Sequence, residues 1–229
     1  MAKSSHEFFV PILASGKGST AEFVIRATQT GVLQNADTGL VISNNAKAGV
    51  FDVAGQLSSQ YPNLHIQTAH IGPTPENDMY EDSPIEQTKQ ESEAIYELIM
   101  EQADGRPVVV LLAGYLRKLR GPTLDELVVY NTHPAALPAT KGKFGRGAHR
   151  HVVRSRLSWS AQYLHRVTEN YDEGPVFRKN VFPIPVAPYD ASEEVIEKYT
   201  DTVEYIAQNT EKAHLPVDFN ALLVERAKI

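Results

Sequence analysis

Five consecutive aliphatic residues, Val108-Val109-Val110-Leu111-Leu112, leave this chain few folds to choose from. A strand with no polar residue on either side of its pleat must be covered on both faces, as a central strand of a parallel sheet is by flanking helices. The sequence before it supplies that setting, since apolar runs alternate with helix-period segments in the pattern of βαβ units. Phe8–Leu13 reads as a first strand, followed by a glycine turn and a helix to about Thr30 closed by Gly31. Gly39–Ser43 reads as the second strand, Val50–Gln60 as the second helix and Leu64–Thr68 as a short third strand. The polar stretch His70–Ser83 reads as a loop, and Pro84 or Ile85 opens a long helix to about Gln102. A proline is suited to that first turn, where its missing N–H has no intrahelical partner to lose.

Downstream, Val128-Val129-Tyr130-Asn131-Thr132-His133-Pro134 reads as a strand stopped by its proline. Side chains alternate along a strand, so Asn131 and His133 point to one face at its carboxyl end. Residues 134–151, rich in Gly, Pro, Lys, Arg and His, read as a functional loop. Two strands follow at Ser160–Val167 and Val176–Ile184. A helix then starts at Ser192, and a last amphipathic segment runs from about Asp218 to Ala227. The expected fold is α/β, a doubly wound, mostly parallel, Rossmann-like sheet. It forms one domain over residues 1–229, with a phosphate-binding half to about 125 and a catalytic half from about 126.

The formal charge of −6 argues against a dedicated nucleic-acid binder, which carries a basic surplus. No cysteine is present, which excludes disulfides, thiolate nucleophiles and zinc–thiolate sites and fits a reducing compartment. The first residues lack a signal-peptide pattern and no apolar run approaches membrane-spanning length, so the expectation is a soluble cytoplasmic protein without membrane partners.

Ser15-Gly16-Lys17-Gly18-Ser19-Thr20-Ala21 lies between strand one and helix one. Glycines there let the backbone approach an anion, and a helix N-terminus offers free N–H groups. It is not a P-loop, because Gly18 follows the lysine where Ser or Thr is required. It matches the loose G-x-G-x-x-A dinucleotide form, but strand two ends Ser43-Asn44-Asn45 without the acid that would grip a ribose, and Asp37 precedes the strand. A single phosphate is the favoured ligand; a nicotinamide-dependent oxidoreductase is the alternative from a different class.

Three further segments follow in order: Leu112–Leu119, reading L-A-G-Y-L-R-K-L; Asn131–Pro138, reading N-T-H-P-A-A-L-P; and His165–Val176, reading H-R-V-T-E-N-Y-D-E-G-P-V. With the glycine turn and Val41–Asn44 they resemble the phosphoribosylglycinamide formyltransferases, a folate-dependent family of purine synthesis, from about Phe8 to Thr210. The resemblance implies metal-independent transfer of the formyl group of 10-formyltetrahydrofolate, a co-substrate, to the amine of glycinamide ribonucleotide through a tetrahedral intermediate. It implies small-molecule substrates, no nucleic acid, and a monomer or homodimer. By the same resemblance His133 is the general acid, Asn131 the oxyanion-stabilising amide and Asp172 the carboxylate that supports the charged histidine and helps move protons. Gly18, Ser19 and Thr20 then hold the substrate phosphate. Leu116, Arg117, Lys118 and Leu119 read the pterin through their backbone, together with Asn131 and the loop Thr168, Glu169, Asn170, Tyr171 and Asp172. Asp201, Thr202, Val203 and Glu204 lie where the family contacts glycinamide and ribose, and Gly147 and His149 match its G-x-H. The residue types suit these roles independently: an amine attacking a carbonyl builds charge on oxygen, which a fixed amide or an imidazolium can take up.

The chain departs from the family at several places. Thr20 replaces the usual asparagine, Tyr163 a small hydroxyl residue, and only Lys89 lies near the usual place of the arginine that holds the folate tail. The loop after Pro138 is expanded, and Lys141–Arg156 carries six basic residues and no acid, a run suited to steering a polyanionic substrate. Amino-sugar N-formyltransferases share the catalytic trio and form the nearest alternative. The sister hydrolase and the methionyl-tRNA enzyme are disfavoured, since strand one begins near Phe8 and no length is left for a further domain.

Overall fold

The structure is a computed structural model, described here for residues 8–72 and 85–228. Part of the expected loop (73–83) and Pro84, expected in a helical first turn, lie outside the described residues. The chain divides into two compact units. One takes the described residues up to Tyr130 together with those from Phe219 onward, and the other is Asn131–Asp218.

In the first unit the elements are β1 (Phe8–Phe9), β2 (Ile12–Leu13), α1 (Ser19–Gln29), β3 (Ala36–Asp37), β4 (Leu40–Ser43), α2 (Val50–Gln60), β5 (Gln67–His70), α3 (Ile85–Ala103), β6 (Val109–Leu112), α4 (Pro122–Asp125) and the first half of β7 (Val128–His133). Strand order is β5-β4-β2-β6-β7, and the β5–β4, β4–β2 and β2–β6 pairs are all parallel. Every residue of β6 is buried, as its uninterrupted apolar run requires. Its neighbours β2 and β4 are buried throughout as well.

The expected first strand is two short ones. Pro11 has no N–H to give a ladder. The chain before it pairs β1 with β3, and the chain after it places β2 between β4 and β6. The third strand begins three residues later than expected, at Gln67, and takes in His70. Leu64 instead turns back, its N–H donating to Tyr61 O at 2.9 Å. This edge strand is mostly exposed, so side-chain burial leaves little trace of it in the sequence.

Beyond β6, alternate residues Tyr115, Arg117 and Leu119 are buried. Arg117 is held by α3: its Nε donates to Glu91 Oε2 at 2.9 Å and its Nη2 to both Glu91 oxygens at 2.6 and 2.8 Å. With the two side chains 2% and 12% exposed, this bidentate pair is enclosed.

The second unit contains the last residues of β7, then α5 (Gly145–Arg154), β8 (Trp159–Arg166), β9 (Val176–Pro183) and α6 (Glu193–Arg226) as far as Asp218. Strand order is β7-β8-β9, and β8 and β9 are antiparallel. Its core joins Ala148, Val152 and Val153 of α5 to Ile196, Val203 and Ala207 of α6 and to Phe182 and Ile184.

Two expectations are corrected here. The stretch read as a loop to residue 151 turns helical at Gly145, because Ala148, His149, Val152 and Val153 form one buried stripe at helical spacing. The helix from Ser192 and the segment from Asp218 are one element, α6, with Pro216 inside it. An internal proline removes one helical hydrogen bond and costs about 3 kcal/mol. Buried Leu215, Phe219, Leu222 and Leu223 on either side offset that cost. Among the described residues no helix is long and apolar enough to cross a membrane.

Replacing Glu91 by Ala removes the carboxylate that answers the enclosed Arg117 guanidinium. Urea unfolding of Glu91→Ala should show a loss of about 3–5 kcal/mol, the usual cost of breaking one side of a buried pair.

Candidate active site

β7 delivers two polar side chains from one face, as its period of two requires. Asn131 Nδ2 lies 3.4 Å from His165 Nε2, and His133 Nδ1 lies 3.3 Å from Asp172 Oδ1. Asp172 Oδ1 also stands 3.6 Å from His165 Nε2, so one carboxylate faces both histidines. The expected trio therefore meets, with His165 as a fourth member. His133 is 3% exposed, and the Asp172 side chain 9%.

The loop holding Asp172 is shaped by backbone conformation. Asp172 has φ +55°, a left-handed position that short polar side chains tolerate better than most. A Cβ at Gly174 would stand 1.7 Å from Arg166 O, so only glycine permits the close crossing there. Thr168 Oγ1 donates to Asn170 O at 3.1 Å inside the loop, and Gly142 N donates to Asp172 Oδ2 at 2.9 Å. Burial alone would push the Asp172 carboxyl up. The hydrogen bonds from His133 and His165, the His133 charge and the Gly142 N–H outweigh it and hold the group well below the usual carboxylate range.

β8 and β9 supply a further device. Their register slips between Leu164 and His165: Leu164 pairs with Arg178, but His165 pairs with Val176. Such an irregularity re-aims a side chain at a strand end. His165 Nδ1 lies 3.0 Å from Arg166 O, and a carbonyl only accepts, so Nδ1 carries the proton. Nε2 faces both the Asn131 amide and the Asp172 carboxylate.

In the first unit, Gly18 caps α1 at φ +81°, with Ser19 and Thr20 opening the helix. A Cβ on Gly18 would meet Val50 Cα at 2.6 Å, so the turn packs tightly against α2. Ser15 Oγ donates to Asn44 Oδ1 at 2.5 Å and accepts from Leu116 N at 2.9 Å, tying together the chain after β2, β4 and β6. Asp37, on β3, is held by Arg106 at 2.6 Å, and β4 itself ends at Ser43, followed by Asn44-Asn45, without an acid for a ribose. Arg117 and Leu119 turn their side chains inward, so this segment offers ligands its backbone and the half-buried Leu116 and Lys118.

On α6, Val203 is core, and Thr202 Oγ1 donates to Lys198 O. Asp201 and Glu204 receive Arg146 Nη1 at 2.5 and 3.2 Å. Arg146, Arg150 and Arg154, one turn apart on α5, pair with Glu193, Glu197, Asp201 and Glu204 of α6. Lys141 pairs with Glu173. The basic run read as a steering surface thus spends four of its charges on internal partners.

A family profile described as formyl transferase matches residues 10–208. The chain belongs to the formyl transferase family. It is similar to the chloroplastic phosphoribosylglycinamide formyltransferase of Vigna unguiculata, 32% identical over 111 residues, or 43% of this chain and 35% of that protein. It is also similar to the trifunctional purine biosynthetic protein adenosine-3 of Gallus gallus, 26% identical over 206 residues, 89% of this chain and 17% of the relative. The chain thus spans about a third or less of the length of these curated relatives. Among solved structures, the phosphoribosylglycinamide formyltransferase of Campylobacter jejuni shares the fold with a TM-score of 0.68 at 18% identity, covering 96% of this chain and 100% of its own. Glycinamide ribonucleotide transformylase 1 of Geobacillus kaustophilus has a TM-score of 0.66 at 25% identity, with 95% and 100% covered.

Two residues of the chain were landmarks in the sequence but not site candidates. His165 opens the segment that ends in Asp172, seven residues apart, and joins the carboxylate only because a loop brings the strand end back on itself. His149 matched a motif. It is buried on α5, with its Nδ1 unpartnered among the described residues. Tyr163, the departure beneath the site, is accommodated: it is buried and its hydroxyl donates to Leu137 O at 3.3 Å.

Burial, with the nearby charges of His133 and Arg146, pushes His149 down to about 4. Below its ordinary value of 6.5 the unfolded chain binds a proton that the folded site refuses. This contribution to stability is therefore complete above about pH 6.5 and lost as pH falls toward 4, by up to about 3 kcal/mol. Urea midpoints between pH 4.5 and 7.5 should fall less steeply for His149→Gln than for the unmodified protein.

Proposed function

We propose that this chain transfers the formyl group of 10-formyltetrahydrofolate to the amine of glycinamide ribonucleotide. The observation that carries this reading is the convergence of Asn131, His133 and Asp172 at the end of β7 in a chain of the formyl transferase family. The names of the Vigna unguiculata and Geobacillus kaustophilus relatives, both glycinamide ribonucleotide enzymes, support the acceptor.

The chemistry follows from the groups present. The acceptor nitrogen attacks the formyl carbon, and the carbonyl electron pair moves onto oxygen. His133 donates a proton toward that oxygen, and the Asn131 amide stabilises its charge; each such contribution is typically worth about 10²–10³ in rate or more. When the intermediate collapses, the bond to folate N10 breaks and N10 takes up the proton that the amine loses. Asp172 remains ionised through the neutral range and supplies the counter-charge for a protonated His133. The low exposure of the His133 and Asp172 side chains strengthens the interaction between them.

The remaining assignments are part of the same proposal. The first turn of α1, with Gly18, Ser19 and Thr20, takes the substrate phosphate, supported by the helix N-terminus and the left-handed glycine that opens it. The backbone of Leu116–Leu119 and the loop Thr168–Asp172 take the reduced folate. Asp201, Thr202, Val203 and Glu204 lie along the acceptor, with Val203 acting through packing alone. The protein acts on these small molecules in the cytoplasm.

Formyl transfer should be measured with glycinamide ribonucleotide and a panel of amino-sugar nucleotides as competing acceptors. Turnover with the ribonucleotide is expected. Turnover only with a sugar nucleotide would overturn the acceptor and keep the chemistry. In the same assay Asn131→Ala should lose about 10²–10³ in kcat, and His133→Asn should reduce turnover to near background.

A further inference from the structure

The His133 ring is held at both ends, and its second holder lies on a segment that the functional reading leaves unused. Nδ1 faces Asp172, whereas Nε2 lies 2.8 Å from Thr140 Oγ1. Thr140 is fully buried and belongs to the turn that expands the chain after Pro138. Its hydroxyl donates to Ala136 O at 3.0 Å, the same carbonyl that accepts from Thr140 N at 3.1 Å. A hydroxyl has one hydrogen, so with that hydrogen committed its oxygen can only accept on the side facing His133. Nε2 must therefore carry an N–H.

The same turn reaches the other end of the pair. Gly142 N donates to Asp172 Oδ2 at 2.9 Å, and Lys141 is paired with Glu173 beside it. Lys141 N donates to Pro138 O at 3.1 Å and Lys143 N to Thr140 O at 2.9 Å, so the turn is closed on itself between the two holders. It brackets the His133–Asp172 pair, with a hydroxyl at the imidazole and an amide at the carboxylate. Among the described residues, His165 on β8 faces Asp172 and Arg166 O, and His149 on α5 feels the His133 charge; no hydrogen bond from either to Nε2 is seen.

We propose that Thr140 is a positioning residue for His133, whose buried hydroxyl fixes the plane of the ring and keeps Nε2 protonated. This rests on the reading of His133 as the general acid. In the free site the Nε2–H rests on Thr140 Oγ1, and the formyl oxygen takes over as its acceptor when substrate is bound. A donor acts only within reach of and in line with its acceptor, so loss of this holder misaims the ring while Asp172 still restrains it.

Thr140→Val keeps the shape and removes the acceptor, and Thr140→Ser keeps the acceptor and removes a methyl. Thr140→Val should lower kcat by about tenfold to a hundredfold with KM nearly unchanged, and Thr140→Ser should restore most of it. In ¹⁵N-histidine-labelled protein, the hydrogen-bonded Nε2–H proton of His133 should be visible and slowly exchanging in the parent and in Thr140→Ser, and absent in Thr140→Val. Wild-type kcat with the proton signal retained in Thr140→Val overturns the proposal. So does a loss of kcat in both variants that merely tracks a loss of stability to urea. His133→Asn run alongside separates the two claims. If it retains turnover, the acid assignment itself fails; if it is inactive while Thr140→Val is unimpaired, only the role of Thr140 fails.

Discussion

The second unit depends on one enclosed carboxylate that stays ionised. Asp172 is largely removed from water, and a lone anion there would take up a proton. It does not, because His133, His165 and Gly142 N–H all converge on its two oxygens. Meeting those partners requires a left-handed backbone at Asp172, a glycine at 174 where any side chain would collide with Arg166 O, and a slipped register just before His165. The left-handed backbone at Asp172 costs on the order of 1–3 kcal/mol and persists only where surrounding contacts determine it. Asn131 and His133 inherit their geometry from this arrangement, each reaching one of the groups gathered at the carboxylate.

Charge elsewhere in the unit is spent on structure. Arg146, Arg150 and Arg154 on α5 meet Glu193, Glu197, Asp201 and Glu204 on α6, a ladder built from helical spacing on both sides. These pairs are substantially exposed, so each contributes little alone and salt screens it. Their consequence is specificity of docking between two helices whose apolar stripes also meet. In the first unit the enclosed Arg117–Glu91 pair draws a basic side chain of the segment after β6 into the interior, and Arg106 answers the acid of Asp37.

Much of this was legible in local pattern. The apolar run of β6, the span of α2, the strand 128–133 and the convergence of Asn131 with His133 all follow from side-chain periodicity and from proline or glycine at the ends. The edge strand β5 was placed three residues early because its side chains are mostly exposed and leave no alternation to read. Helix α5 was taken for loop because its composition is basic and glycine-rich, although its buried stripe has helical spacing. Pro216 suggested a break where burial on both sides carries α6 through.

By itself the sequence determined which residue types are available and which share a face, since those depend on neighbours a few positions apart. It therefore settled the alternating α/β order, the strand-end amide and imidazole, and the tight glycine turn before α1. Tertiary structure alone decided who partners whom across long separations: Asp172 with two histidines, Arg146 with α6, Ser15 with Asn44 and Leu116, and Thr140 with His133. A cation can be answered by any of many acids, and a hydroxyl by any nearby acceptor. The choice is made by packing, which fixes the few ångströms over which hydrogen bonds and enclosed charges act.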